Sequence, residues 1–525
     1  MLAMLDLSVV ILALPQLSAD LNASSVQALW ITDIYGFLIA GFLVTMGRLG
    51  DRIGHRNLLL IGAAAFGLLS IAAAYSTSAE MLIVIRALLG VAGGTIMPCV
   101  LGLLRHMFQD PKQMGTAMGI WSAAAMAGVS LGPALGGVLL NSFWWGSIFL
   151  IATPIMLLLM ATGPFLLPGH RAAADSGPLD LFSVVLSLAA ILPVIYGLKE
   201  LARAGWSAQA IAAIAAGVAL GAIFVRRQRR LADPLLDLGL FGIAAIGGGL
   251  VLYLLAGVIQ GGNALLMTQH LQLVEGLSPL ATALWLLIPS LMVIIGIQIA
   301  MASAKRFRPA SVMIAGALVA IAGMVVLTQI KPVGGLATMV IGISIVFIGV
   351  SPIPALVNQL VMMSAPPERA GSAASLSTTS GELGTALGIA TLGSLATLLY
   401  RGGVQVPAGV TPEAAAAAGD SMGSAAAAAD RLPQPIAQEL LTAARESFNA
   451  AYASVAGVCI VLFIGFAALA YATLRRIPPI GAPPGGGPAP ESADGPDAGD
   501  SPAPSQHTTD QHTTDQQTTV QQATS

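Results

Sequence analysis

Charge is what this chain has least of. Asp, Glu, Lys and Arg make up 9% of its 525 residues, against about a quarter in soluble domains. The net charge of −2 shows no basic excess, so nothing points to nucleic acid. Cysteine is almost absent: Cys99 and Cys459 stand far apart in apolar runs and imply neither a disulfide framework nor a metal site. The four histidines outside the tail, His55, His106, His170 and His270, sit in or near loops without metal spacing. A phosphate-cradling glycine loop is also missing. With no catalytic constellation, the chain reads as a non-enzyme that needs no cofactor.

Apolar side chains are what it has instead. They form 56% of the residues, and the mean hydropathy is +0.83. A soluble fold of this length cannot hide so many, so the expectation is an all-α polytopic membrane protein. Runs long enough to span read as 1–17, 27–46, 58–76, 80–104, 114–140, 147–167, 179–198, 208–225, 242–268, 279–303, 310–330, 334–363, 370–400 and 449–473, fourteen in all. The first run has no basic n-region and no small-residue cleavage site, which speaks against a signal peptide. It is short for a span, so a basic leader upstream of Met1 is expected.

Lys and Arg alternate between loops. One set carries sixteen of them, including Arg48, Arg52, Arg56, Arg105, Lys112, Arg171, Arg226, Lys305, Arg369, Arg475 and Arg476. The other carries six: Lys199, Arg203, Lys331, Arg401, Arg431 and Arg445, and Arg86 inside a span completes the 23. By the positive-inside rule, both termini are cytoplasmic in a bacterial cytoplasmic membrane. Residues 401–448 then lie outside. Their alanine runs, the start signal Thr411-Pro412-Glu413 and the stretch Pro435–Phe448 read as a helical hairpin or as an alanine-rich loop. The tail 474–525 is rich in Pro and Gly, ends in repeated pentads and reads as disordered.

Ionisable residues inside spans are costly and mark function. There are four: Asp6, Asp33, Arg86 and Glu382. Glu382 stands mid-run, where desolvation lets a carboxyl take up a proton and release it. Ionised, it can face a cation. Arg86 keeps its charge and must pair with an acceptor. The segment Gly47-Arg48-Leu49-Gly50-Asp51-Arg52-Ile53-Gly54-His55-Arg56 reads as a short basic loop, with Asp51 as a latch in a cytoplasmic gate. Gly128, Gly132 and Gly136 recur every fourth residue beside Gly137, with Pro133 in the middle. That face either packs tightly against a neighbour or slides on it at a proline bend. Trp30, Tyr35, Trp121, Met126, Trp285 and Met292 are candidates to line an adaptable cavity.

These stretches carry a resemblance. Residues 47–56 look like the signature loop of the major facilitator superfamily, the stretch around Arg86 like its fourth-helix motif, and Gly128–Gly137 like its fifth-helix antiporter motif. Leu5–Pro15 resembles the first-helix motif of the fourteen-helix drug:proton antiporters, and 1–473 as a whole resembles multidrug and quaternary-ammonium efflux pumps. The resemblance implies two six-helix halves, 1–167 and 241–473, with two helices inserted in 168–240. It makes Asp6, Asp33 and Glu382 the acids of coupling and cation recognition, Arg86 a proton-relay residue and Asp51 the gate. It further implies a monomer that exchanges protons for lipophilic, cationic small molecules. Ser377 and Thr378 stand where some such pumps carry paired glutamates, which puts recognition of dications in doubt, and Glu382 stands where aspartate is usual. Segment 303–310 echoes 47–56 without its glycines or aspartate. Rival expectations are an exporter of an endogenous metabolite or self-made antibiotic, and an importer of the same fold.

Overall fold

The structure is a computed structural model that describes residues 2–108, 110–168, 180–231, 239–331, 334–364, 370–475, 477 and 479. Arg171, Arg369, Arg476 and the tail with its pentads lie outside the described residues. The described residues are helical, without strands. In chain order the helices are α1 (Leu2–Asp20), α2 (Ser25–Ile53), α3 (His55–Ala74), α4 (Ala79–Met107), α5 (Pro111–Ser142), α6 (Ser147–Leu150), α7 (Ala152–Leu166), α8 (Leu181–Ala204) and α9 (Ala208–Gln228). After a 3-10 turn at Leu240–Gly242 come α10 (Ala244–Gln269), a π turn at His270–Val274, α11 (Pro279–Ala304), α12 (Pro309–Leu327), α13 (Leu336–Val350) and α14 (Pro352–Ser364). The last four are α15 (Ala370–Gly403), α16 (Pro412–Asp420), α17 (Met422–Ala429) and α18 (Gln434–Leu474).

Helix is the form that satisfies every backbone group within one apolar segment. Starts are set by side-chain caps: Ser24 forms a capping box with Gln27, and Ser78, Asp180, Ser207, Ser278, Thr411 and Ser421 each accept a backbone N–H of the first turn. Twelve helical segments among the described residues are long and apolar enough to cross a membrane. The first and fifth expected spans form α1 and α5, of 19 and 32 residues. Buried side chains gather into two main cores. One joins α1–α7 and the other α10–α18, while α8 and α9 pair with each other and α8 packs on α2 and α15. Between the two cores, α2 lies on α15 and α5 on α11.

Two expectations change. Segment 47–56 is not a loop: α2 runs through it to Ile53, and one residue, Gly54 at φ 92°, turns the chain into α3. Only glycine takes that conformation cheaply. The stretch Pro435–Phe448 is not a separate hairpin helix but the start of the 41-residue α18, because no proline follows Pro435 to stop it. The hairpin consists of α16 and α17, built from the two alanine runs. His270, near the loop that precedes α11, is buried in the π turn that extends α10.

Candidate functional site

Arg86 on α4 is wholly buried and held from three sides. Its Nη1 pairs with the Asp6 carboxylate on α1, its Nε donates to the Ile31 carbonyl at 3.1 Å, and its guanidinium lies 4.3 Å from the Tyr35 ring centroid. Phe149 covers it at 5.9 Å. The planar fork suits both the bond to the carboxylate and the stacking on aromatic faces. Asp6 is slightly exposed beside its fully buried partner, so the pair keeps one edge open. Arg86 Nη2 has no partner among the described residues.

Asp33 sits on α2 between Ile31 and Tyr35 but serves another neighbour. Its Oδ2 lies 2.7 Å from Lys199 Nζ on α8, and both side chains are fully buried. The same ammonium rests 3.9 Å from the Trp30 ring centroid. Lys199 is the functional-looking residue that sequence reading missed, having been taken for an outer-loop lysine. The signal was its place at the end of an apolar run, where a charge inside a span needs a partner.

Glu382 on α15 is half-buried and has no ion-pair or hydrogen-bond partner among the described residues. Tyr35 and Tyr253 are within its electrostatic range. The turn that carries it is pressed against α10 by glycines on both helices. A Cβ at Gly257 would lie 2.8 Å from the Gly381 carbonyl oxygen, and one at Gly381 would lie 2.8 Å from Tyr253 Cζ. Gly261, Gly384 and Gly388 face backbone just as closely. This glycine seam was legible in the spacing of 257, 261, 384 and 388 but was not read.

The Gly128–Gly137 face lies on α5, which stays helical through Pro133. A Cβ at Gly132 would collide with Ser8 Oγ, and one at Gly136 would meet Val9 Cγ1 at 2.7 Å. Gly137 faces the Leu280 backbone of α11 at 2.8 Å. The face therefore touches both α1, one turn from Asp6, and the opposite core. Gly128 is buried. At the other end of α2, Asp51 reaches across the Gly54 turn to His55 Nε2 at 3.0 Å. Gly50 and Gly102 leave the slot that the His55 ring fills, and Gly47 faces Pro98 on α4. Arg56 donates to the Pro164 carbonyl at 2.7 Å, and Arg52 is exposed.

The cavity candidates separate. Trp30 and Tyr35 stack on Lys199 and Arg86. Trp121 and Met292 are half-buried, Trp285 is exposed on α11, and the Met126 side chain lies outside the described residues.

A cavity of about 530 Å³ lies away from these charges, under the α16–α17 hairpin. Its walls come from α1 and α2 on one side and from α10, α15 and the hairpin on the other. Two links between the cores lie at this end. Asp420 accepts from the Ser25 backbone N–H at 3.0 Å and from the Ser25 hydroxyl at 3.1 Å, and Gln272 Nε2 donates to the Leu12 carbonyl at 2.7 Å. Tyr400 on α15 donates to the Ala418 carbonyl at 2.9 Å, which pins the hairpin down. Among the described residues no cluster fit to hold a metal ion is found.

The sequence profile of the Major Facilitator Superfamily matches residues 1–389. The chain is 40% identical over 476 residues to the multidrug efflux pump LfrA of Mycolicibacterium smegmatis, covering 91% of this chain and 94% of that protein. It is 34% identical over 485 residues to the methyl viologen resistance protein SmvA of Salmonella typhimurium, covering 88% and 94%. In fold it is similar to a bacterial homologue of the human lysosomal transporter Spinster, solved inward-facing and unoccupied. The TM-score is 0.62 at 14% identity, covering 90% of this chain and 96% of that one. A multi-pass helical chain with buried charges in its spans and efflux pumps as full-length relatives is a small-molecule transporter rather than an enzyme: it belongs to the Major Facilitator Superfamily, among its drug-efflux members.

Proposed function

We propose that this chain exports lipophilic, cationic small molecules across the bacterial cytoplasmic membrane in exchange for protons, as a single chain without a cofactor. The observation that carries the reading is Glu382: a half-buried carboxyl on a core helix with no cation of its own. Deprotonated, it attracts a cationic substrate; protonated, it does not. Proton and substrate therefore compete for one group, which is the requirement for exchange. Asp6 has Arg86 as its counter-ion. A proton arriving on Asp6 frees Arg86 from its partner, and the strain falls on α1, which bears on the α5 glycine face.

Each charge moved inward down a potential of 100 mV supplies about 2.3 kcal/mol, enough for modest concentration of a substrate outside. In this reading the hairpin end faces outside, where the cores are joined by Asp420–Ser25 and Gln272–Leu12. The Asp51–His55 end faces the cytoplasm, and rocking of the cores alternates access. Relatives named for multidrug efflux and methyl viologen resistance support the choice of substrate class. The test is efflux of a lipophilic dye cation from loaded cells with and without a protonophore. Proton-coupled export stops with the protonophore, while efflux unchanged by it would overturn the coupling.

A further inference from the structure

The cavity under the hairpin lies apart from the central charges, and it has the size of a ligand site. Pockets for drug-sized molecules run from roughly 300 to 1,000 Å³, and this one holds about 530 Å³. Its walls mix apolar side chains, among them Leu14, Leu29, Leu265 and Met422, with polar ones such as Gln269 and Tyr400. The charged residues lining it are Glu413, Asp420 and Arg431, one net negative charge. Asp420 is already engaged by Ser25 and lies 4.0 Å from Arg401, whereas Glu413 stands exposed at the rim without an ion pair among the described residues. Asn22 adds an amide from a left-handed backbone at φ 49°, a conformation that asparagine tolerates. On α15 the lining reaches no nearer Glu382 than Gly393, about 16 Å along the helix.

We propose that this cavity is a second binding site, for a lipophilic monocation arriving from outside, and that its occupancy slows export. The proposal rests on the alternating-access reading given above. Walls of mixed apolar and polar side chains with one net negative charge suit one positive charge on an amphipathic body. The two walls belong to cores that must part at this end to release substrate. A ligand touching both walls binds the closed form better and shifts the population toward it. Exported product accumulating outside then acts as a brake on its own transport.

The experiment uses the full chain in right-side-out vesicles loaded with a dye cation. The external probe is tetraphenylphosphonium tethered to a hydrophilic polymer, which cannot cross the bilayer. For each variant the efflux rate is read with and without the probe. The wild type slows. Ala417→Trp, which fills the cavity from the hairpin, raises the half-inhibiting concentration by about tenfold or more. Glu413→Gln, at an exposed position outside the packed core, raises it by about threefold, and Glu413→Lys raises it further. Calorimetry of the purified chain separates this site from the central one: Glu382→Gln keeps its affinity for the tethered probe, whatever becomes of its transport. Wild-type efflux indifferent to the probe, or inhibition unchanged in both Ala417→Trp and Glu413→Lys, would overturn the proposal.

Discussion

Asp33 and Glu382 stand on neighbouring helices, α2 and α15, and the fold treats them in opposite ways. Asp33 is given a cation from the inserted helix α8, an aromatic roof and complete burial. Glu382 is given tyrosines within electrostatic range and no cation among the described residues. A buried carboxylate with a built-in partner is expensive to disturb and tends to stay as it is. One without a partner is free to exchange a proton for a passing cation. Position within a span therefore does not assign a role to an acid. What settles it is whether the protein supplies the counter-charge.

The largest test of that contrast is Glu382→Gln. Dye efflux is expected to fall to the background of cells lacking the transporter, with expression and thermal stability close to wild type. Full coupled efflux would put the two acids on an equal footing. Gly132→Leu comes next. The new side chain collides with Ser8 and displaces α1, so it is expected to stop turnover and separate Asp6 from Arg86 while leaving Lys199 on Asp33. Accessibility of a single cysteine at Ser8 to a thiol reagent checks the displacement of α1, and full turnover would show that the α5 face carries no such duty.

Lys199→Met is expected to destabilise the chain by about 3–5 kcal/mol, because it leaves a buried carboxylate alone. The double variant Asp33→Asn with Lys199→Met recovers most of that loss and keeps efflux. A well-folded double variant without transport would show that Asp33 also works in the cycle. The smallest expected effect lies at Asp180, the cap of α8. Burial raises its carboxyl, but hydrogen bonds from Ser183 and Arg227 outweigh burial and hold it below its ordinary value of 3.8. A depressed native value means that this stabilisation is present above 3.8 and is lost as pH falls through the native value. Asp180→Asn removes that acid-side dependence, which thermal melts across acidic pH would reveal, and it should leave the Asp33–Lys199 pair untouched.

Much of the molecule was legible in one dimension. Span-length apolar runs predicted helices where helices stand, and Asp6, Asp33, Arg86 and Glu382 were identified as costly charges without any contact in view. Gly132 was readable as a close-approach position. Partners were not readable. Asp6 meets Arg86 and Asp33 meets Lys199 across long stretches of chain, and hydropathy has no term for such meetings. Segment 47–56 was misread because its glycines suggested a turn, whereas Gly50, together with Gly102 on α4, is there to let the His55 ring come close.

The sequence by itself determined that this chain lives in a membrane, that it is helical, and that it belongs with transporters carrying a glycine face on the fifth helix. Those properties follow from composition, period and local spacing, which act along the chain. Only the tertiary structure decided which buried acid is satisfied and which is left open. It also brought α1 and α2 against the hairpin to enclose a cavity. Charge compensation and enclosed space arise between helices, from the way the two cores and the inserted pair pack together.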